Sequence, residues 1–425
     1  MKRCIEGMAF IKEDKEMVKF SPEEIDKALD WLSSITKYED VKGTTRLLYD
    51  EKWQEAQKSL EKIMEEIGME VEYDDVGNLF GTVIGSEEPE SVIATGSHVD
   101  TVVKGGRLDG QLGIMAGYLS IKKLIEEEGQ PKKSLRLISM AEEEGSRFPY
   151  AFWGSKNIFG EVKREEVEGK VDGEGVKFED AMRDAGFDFP SSDLKFNKMD
   201  AFIELHIEQG NFLEQKNKKV GVVNSIVGQK RWDIVLKGQS NHAGTTLMEY
   251  RKDTVEGMAK IVSQSLDRAK EAGNPLVLTF GRVDPSPNTV NVVPGKTSFS
   301  MDCRHTDQDF LNQFTAEVED IMHSVAEELG LEIEISKWMD EPPVPMNEKI
   351  VDEIENVCKD LGLDYEVMHS GAGHDGQIFA PHVPTAMLFC PSIDGISHNP
   401  EEHTEAEDIV QSAEALAETF RRLAY

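Results

Sequence analysis

Residues 97–110 carry three side chains that can bind a divalent cation, His98, Asp100 and Asp109, spaced among glycines. The apolar run 91–95 before them predicts a buried strand of a parallel sheet, which places His98 just past the carboxyl end of that strand. Open α/β sheets bind ligands at this edge. Imidazole and carboxylate ligands suit Zn²⁺ or Mn²⁺, and Asp100 is spaced to orient the His98 ring. A hydrogen-bonded loop histidine fits the same spacing, so this segment alone leaves both interpretations open.

Three further apolar runs also end in side chains that can bind a metal. They are residues 135–140 before Glu142, Glu143 and Glu144, residues 202–206 ending in His206, and residues 385–389 ahead of His398. Unrelated core strands rarely all end in histidine and carboxylate side chains. Together the four runs support the metal-site hypothesis more strongly than any one of them.

The three glutamates at 142–144 differ from an ordinary charged helix face. Runs of like charge are usually solvated, and the glutamates at 126–128 fit that interpretation. Residues 142–144 instead follow a buried strand and precede Gly145. In that position one carboxylate can bind a metal while its neighbour acts as a general base.

The composition excludes several classes of partner. The 81 acidic and 47 basic residues give a formal charge of -34, which argues against binding to nucleic acid or to an anionic membrane. The four cysteines, at 4, 303, 358 and 390, lack C-x-x-C spacing and indicate a reducing compartment. Residues 1–16 have no sustained apolar stretch, so no signal peptide is predicted, and no run approaches the length of a membrane span. We therefore expect a soluble cytoplasmic protein.

With 425 residues, the chain is long enough for two or three domains. Alternating helices and strands predict an α/β domain at both ends of the chain. Helices are expected near 22–34, 51–67, 110–127, 347–361 and 405–423, and strands near 70–73, 78–84, 91–95, 135–140, 202–206 and 385–389. The charged, helix-leaning stretch 155–195 is expected to be a peripheral elaboration.

The middle of the chain shows a different order of elements. A strand, a helix, two strands, a second helix and a last strand are predicted at 220–237, 253–272, 276–283, 297–303, 307–329 and 331–338. This β-α-β-β-α-β order is ferredoxin-like. The sequence thus predicts a catalytic α/β domain made of residues 1–223 and 339–425, with a smaller α+β domain inserted at 224–338.

Nine short motifs occur in order between about residues 45 and 405. They are HVDTV, GRLDG, EEEGSRF, HIEQG, NHAGTT, PNTVNVVPG, DCRHTD, SGAGHD and SHNPEE. The set resembles the binuclear, M20-type metallopeptidase-like amidohydrolases that cleave N-carbamoyl groups. The resemblance implies a metallopeptidase-like catalytic domain with an inserted domain that serves as a lid and in dimerisation.

The resemblance also assigns roles around two divalent metal ions per subunit, Mn²⁺ or Zn²⁺. It implies that His98 and His206 hold one ion and that Glu144 and His398 hold the other. Asp109 would bridge the two ions, with Asp100 behind His98. Glu143 would be the general base. A cis peptide bond is implied between residues 109 and 110.

Substrate contacts follow from the resemblance as well. His242 would contact the reacting ureido group across a homodimer interface. Asn291 and Arg304 would hold the carboxylate of a small ureido substrate, with Gln209 nearby. The implied reaction is hydrolysis of the ureido group of allantoate to ureidoglycine, ammonia and carbon dioxide, in purine-ureide nitrogen salvage.

Several alternatives stay open. The substrate could be an N-carbamoyl-L-amino acid, or the chain could be a dinuclear peptidase or a catalytically silent ureide-binding protein. His242 could cap a turn, and Arg304 could be an ion-pair partner beside Asp302. His374 and Asp375 could shape their glycine-rich loop or bind substrate. The remaining histidines are expected to be structural or solvent-facing: His305, His323, His369, His382 and His403. Gly376 and Leu247 depart from residues common in the family, alanine and proline, which leaves the fine substrate preference open.

Overall fold

The computed structural model describes residues 18–190 and 194–425. Cys4 and the segment of the signal-peptide prediction lie outside these residues. The helices are α1 Pro22–Ser33, α2 Glu51–Glu66, α3 Gln111–Glu128, α4 Trp153–Ile158, α5 Phe178–Asp184, α6 Phe212–Lys216, α7 Thr254–Ala272, α8 Gln308–Glu328, α9 Glu348–Leu361, α10 Gly376–Phe379 and α11 Ala406–Ala424. The long helices lie within a few residues of their predicted positions.

The strands are β1 Glu70–Tyr73, β2 Leu79–Val83, β3 Glu88–His98, β4 Lys133–Met140, β5 Ala201–Ile207, β6 Val220–Ile226, β7 Gly228–Lys237, β8 Asn241–His242, β9 Val277–Thr279, β10 Val283–Ser286, β11 Val292–Val293, β12 Lys296–His305, β13 Glu332–Glu341, β14 Val344–Pro345, β15 Tyr365–Ser370 and β16 Thr385–Cys390. His98 is the last residue of its strand rather than lying just past its carboxyl end. Strand β15 was not predicted, because most of its residues are polar or partly exposed.

The large sheet has the order β1-β2-β4-β3-β5-β16-β6-β14, with β15 beside β6. Strands β4, β3, β5 and β16 run parallel to their neighbours in this set, so their carboxyl ends share one edge. These are the four apolar runs that the sequence analysis singled out. Helices α3, α9 and α11 pack on the sheet, and the α/β prediction is confirmed.

Helix α3 lies unusually close to the strands that it covers. A Cβ atom on Gly113 would lie 2.5 Å from the Leu205 carbonyl oxygen, and one on Gly117 would lie 2.8 Å from Cγ2 of Thr95. Only glycine allows this approach. The start of α3, two residues after Asp109, is thereby fixed over the ends of β3 and β5.

The smaller sheet has the order β10-β12-β7-β13, with β9 also beside β12, and all of its pairs are antiparallel. Helices α7 and α8 pack on it around a core of its own that includes Trp232, Phe299 and Met322. This is the strand order of a ferredoxin-like unit. The domain boundaries at 224 and 338 stay predictions: β6 crosses the first and belongs to the large sheet, and β13 crosses the second.

The prediction that residues 155–195 are peripheral is wrong for much of that stretch. Ser155 and Phe178 are fully buried, and Phe178 belongs to the main core. Its ring packs edge-to-face on that of Trp153, whose Nε1 donates to the Tyr49 hydroxyl at 2.7 Å. Helices α4 and α5 are too short for a few apolar residues to show a helical period among the charges.

We expect Phe178→Ala to lower the free energy of unfolding by about 3–5 kcal/mol, because it leaves a cavity in the main core. Urea denaturation followed by circular dichroism measures this change. Val171→Ala, at an exposed position of the same stretch, is the control and should change it by less than about 0.5 kcal/mol. Equal, small effects of both substitutions would contradict the core assignment.

Candidate metal centre

Two buried histidines face one oxygen of Asp109. Nε2 of His98 lies 3.4 Å from Oδ1 of Asp109, and Nε2 of His206 lies 3.3 Å from the same oxygen. Nδ1 of each ring lies 3.0 Å from a main-chain carbonyl oxygen, that of Asp100 and that of Ile207 respectively. Because a carbonyl only accepts hydrogen bonds, Nδ1 of each ring carries a proton, which leaves Nε2 as the atom that can bind a metal once it is deprotonated.

The other oxygen of Asp109 lies near a second set of potential metal ligands. Nε2 of His398 lies 3.2 Å from Oδ2 of Asp109 and 3.4 Å from Oε1 of Glu144. The ligand atoms of Asp109, Glu144 and His398 lie within 4.8 Å of one another, as do those of His98, Asp109 and His206. One carboxylate therefore joins two triads of potential metal ligands.

The electrostatics of the cluster fit cations at both triads. Burial raises the pKa of Glu144 to about 7, and its buried Oε1 accepts no hydrogen bond. The hydrogen bond to Asp109 raises the pKa of His398 to about 9. Imidazole and carboxylate donors suit Zn²⁺ and Mn²⁺. A divalent ion would supply the positive charge that protons supply in the metal-free cluster.

Asp100 connects the β3 end to the glutamate segment. Its Oδ1 accepts a hydrogen bond from the Glu143 amide at 3.0 Å, and its Oδ2 accepts one from the Glu144 amide at 3.3 Å. The same carboxylate lies 3.2 Å from Nδ1 of His98. Asp100 thus fixes the His98 ring and the two glutamates relative to one another.

The three consecutive glutamates differ in their surroundings. Glu142 is buried, and neither of its carboxylate oxygens has a hydrogen-bond partner. Glu144 faces His398. Glu143 is partly exposed, and its carboxylate groups with His98 and Glu144 within 4.8 Å. Burial raises the pKa of Glu143 well above its usual range. Glu143 therefore lies beside the cluster without belonging to either triad around Asp109.

Gln209 and Arg304 line one cleft of about 790 Å³ between the two sheets. Nε2 of Gln209 donates to Oδ2 of Asp109 at 2.9 Å, a contact that the sequence did not predict. The Arg304 guanidinium donates twice to Asp302, at 2.9 and 3.1 Å, and once to the Gly371 carbonyl at 2.6 Å. Two of the five N–H groups of Arg304 remain for another partner.

His242 and Asn291 lie together but away from Asp109. His242 is in β8, which pairs with β11 in a separate two-stranded sheet, and Asn291 directly precedes β11; both side chains are exposed. Nδ1 of His242 accepts a hydrogen bond from the Gly244 amide at 3.1 Å. Within residues 18–190 and 194–425, no hydrogen bond links either residue to the Asp109 cluster.

The cis bond expected between residues 109 and 110 is a wrong prediction. In the described parts of the chain, the cis peptide bonds are Asn274–Pro275 and Ser286–Pro287, and the 109–110 bond is trans. The chain turns at Gly110 through a φ of 67°, and a Cβ atom there would lie 2.5 Å from the His98 ring. Glycine makes the turn possible without a cis bond.

A buried layer beneath the histidines was only partly predicted. Glu204 accepts hydrogen bonds from the Ser97 hydroxyl at 2.9 Å and from the Gly376 amide at 2.8 Å. The His374 ring lies 4.5 Å from the His206 ring, and Asp375 accepts from the Ser155 hydroxyl at 2.6 Å. The feature of the sequence that could have indicated this layer was a glutamate inside the apolar run 202–206.

The remaining histidines lie outside both triads around Asp109. His323 is exposed, His369 is half-buried, and His382 and His403 pair with Glu161 and Glu405. His305 is buried and stacks on Phe310. Their structural or solvent-facing role stays a prediction.

Residues 94–422 match the peptidase family M20/M25/M40. The chain belongs to this family. Its parallel strands, which end in His and carboxylate side chains, fit this class of hydrolase. In the described residues, no helix has the length and apolar character needed to cross a membrane.

Relatives within the family cover nearly the whole chain. The chain is 51% identical over 402 residues to allantoate amidohydrolase of Escherichia coli (strain K12), covering 94% of this chain and 98% of the relative. It is 40% identical to allantoate amidohydrolase of Bacillus subtilis (strain 168), covering 93% and 96%. An N-carbamoyl-L-amino-acid amidohydrolase of Pseudomonas sp. (strain NS671) is 32% identical, covering 95% and 98%.

Solved structures share the fold. A hydantoinase/carbamoylase family amidase from Burkholderia multivorans has a TM-score of 0.89 at 29% identity, covering 95% of this chain and 97% of that one. A putative amidohydrolase/peptidase from Burkholderia cenocepacia has a TM-score of 0.88 at 29% identity, covering 95% and 98%.

We expect the affinity of the metal-free chain for Mn²⁺ to rise with pH. Glu144 and His398, with pKa values of about 7 and about 9, hold protons below those values. A metal ligand must lose its proton, so binding strengthens from about pH 6 to about pH 9 and releases protons. Titration calorimetry in buffers of different ionisation enthalpy measures both effects. Affinity that is flat over this range would contradict the assignment.

Proposed function

We propose that this chain hydrolyses the ureido group of allantoate to ureidoglycine, ammonia and carbon dioxide, in purine-ureide nitrogen salvage. One observation carries the chemistry: the Asp109 carboxylate faces two separate triads of ligand atoms, with Glu143 beside them. The identity of 51% over 94% of the chain to an allantoate amidohydrolase supports the substrate.

The proposed cofactor is a pair of divalent ions, Mn²⁺ or Zn²⁺. His98 and His206 would hold one of them, Glu144 and His398 the other, and Asp109 both. Bound ions of this kind supply Lewis acidity, which makes water more acidic and polarises a carbonyl group. The chain contributes a dry floor to the site, because both His98 and His206 are buried.

Glu143 is the proposed general base. It takes a proton from the attacking water and returns it to the leaving nitrogen of the ureido group. The raised pKa of Glu143, caused by burial, makes its carboxylate a stronger base towards that water. His242 donates to the oxygen that becomes negative during the attack.

Arg304, Asn291 and Gln209 are the proposed contacts of the substrate carboxylate. Asp302 and the Gly371 carbonyl fix the Arg304 guanidinium, which leaves two N–H groups for a bidentate pair with a carboxylate. A local cation of this kind lets a chain of charge -34 bind an anion. In the proposed division, residues 1–223 and 339–425 carry the metals, and residues 224–338 act as a lid that brings Asn291 over them.

A homodimer is the proposed assembly, and the cytoplasm is the proposed location. Leu247, Met248, Tyr250 and Val290 are exposed apolar side chains near His242 and Asn291 in the sequence. Such a cluster suits a contact between two copies, through which His242 would reach the partner's site. The buried free thiols at Cys303, Cys358 and Cys390 support a reducing compartment.

N-carbamoyl-L-amino acids are the alternative substrates. Relatives of that activity are 32% identical over nearly the same length, and the same triads would serve the reaction. A silent ureide-binding protein is a weaker candidate, since Glu143 and every proposed ligand are present. A dipeptide assay tests the third alternative, a dinuclear peptidase.

Ammonia release by chelator-stripped protein, before and after addition of Mn²⁺, tests the proposal. We expect allantoate turnover only with Mn²⁺, little turnover of N-carbamoyl amino acids, and a loss of at least about 100-fold in Glu143→Gln. Turnover of carbamoyl amino acids alone would overturn the substrate. Absence of turnover with either substrate, despite bound metal, would overturn the enzyme assignment.

Mixed dimers test the role of His242 across the interface. His242→Ala and Glu143→Gln homodimers should each be nearly inactive. After refolding or coexpression, half of the dimers are mixed and contain one complete site, so activity should return to about one quarter of wild type. Mixtures that stay inactive would show that His242 does not act on the partner's site.

A further inference from the structure

The proposed function assigns no role to Glu402, the last residue of the SHNPEE motif. Its side chain is buried, with 6% of its surface exposed. Oε2 of Glu402 accepts hydrogen bonds from two consecutive main-chain amides, that of Leu108 at 2.8 Å and that of Asp109 at 3.1 Å. Glu402 therefore binds the backbone of the residue that joins the two triads.

The second oxygen of Glu402 connects to the Asp109 side chain. Oγ of Ser397 lies 3.3 Å from Oε1 of Glu402 and 3.1 Å from Oδ2 of Asp109. The single hydroxyl proton is shared between two carboxylates. Because Ser397 directly precedes His398, this contact also sets the position of His398 relative to Asp109.

The Glu402 carboxylate packs directly against Gly106. A Cβ atom on Gly106 would lie 2.0 Å from Oε2 of Glu402 and 2.4 Å from its Cβ atom. The carboxylate thus occupies the space that a side chain at 106 would need. The neighbouring Glu401 differs, because it is exposed and pairs with Lys42 at the surface.

We propose that Glu402 is a positioning residue that holds Asp109 between the two triads and so sets the affinity of the site for its cations. The proposal rests on the proposed function, because it requires metal ions at Asp109. Asp109 lies in the connection between β3 and α3, where no strand ladder fixes its main chain. Two main-chain amides that donate hydrogen bonds to one buried carboxylate supply that constraint. Outer hydrogen bonds of this kind orient the ligands of metal sites.

Titration calorimetry of Mn²⁺ into chelator-stripped protein tests the proposal. We expect Glu402→Ala to weaken binding about 10- to 100-fold. Glu402→Gln keeps one carbonyl oxygen that can accept from both amides, so it should stay within about threefold of wild type. Glu401→Ala is the matched control and should bind like wild type. Thermal denaturation of the metal-free variants reports separately on folding.

Gly106→Ala displaces the same carboxylate and serves if Glu402→Ala does not fold. It should weaken Mn²⁺ binding. Unchanged Mn²⁺ affinity in Glu402→Ala or Gly106→Ala would overturn the positioning role, as would an equal loss in Glu401→Ala. If the wild type binds no Mn²⁺, the proposed function fails as well, whereas normal wild-type binding confines the failure to Glu402.

Discussion

The Asp109 carboxylate is the constraint on which the rest of the site depends. One of its oxygens lies near two imidazole nitrogens and the other lies near a third, at distances of 3.2 to 3.4 Å. Further buried carboxylates lie around this cluster, at Asp100, Glu142, Glu204 and Asp375. Burying like charges together is costly unless protons or cations compensate them. Burial accordingly raises the pKa of Asp375 to about 8.

The fold meets this constraint by making several strands end at one edge. Parallel pairing brings the ends of β3, β4, β5 and β16 together, although these strands are far apart along the chain. Close packing of α3 through Gly113 and Gly117 then sets the start of that helix, and with it Asp109, over the edge. The connecting segments are held by main-chain amides that donate hydrogen bonds to the carboxylates of Asp100 and Glu402. The ligand geometry is thus built from main-chain contacts as much as from side chains.

Much of this arrangement was predictable because short apolar runs ending in His or Glu are a local signal. His98, Glu144, His206 and His398 follow or end such runs, and parallel pairing determines where they meet. The layer beneath them was less predictable, since Asp375 pairs with Ser155 across more than two hundred residues of sequence. No period or spacing encodes a single tertiary hydrogen bond of that kind.

Local backbone conformation and local burial were also hard to predict from the sequence. The bond before Gly110 is trans, and Gly110 has a φ of 67°, a conformation that glycine adopts easily; a sequence pattern does not distinguish a trans bond from a cis bond. The buried stretch around Phe178 was mistaken for surface because its charged residues outnumber its apolar ones. At Phe178 the tertiary environment, rather than the local composition, decided the outcome.

Electron paramagnetic resonance of the Mn²⁺-loaded chain tests the central claim most directly, when combined with a count of bound Mn²⁺. The account predicts two ions per chain with a spin-coupled spectrum, because one carboxylate would bind both. The coupled spectrum should be lost in Asp109→Ala. One ion per chain, or two ions with the spectrum of isolated Mn²⁺, would contradict the account.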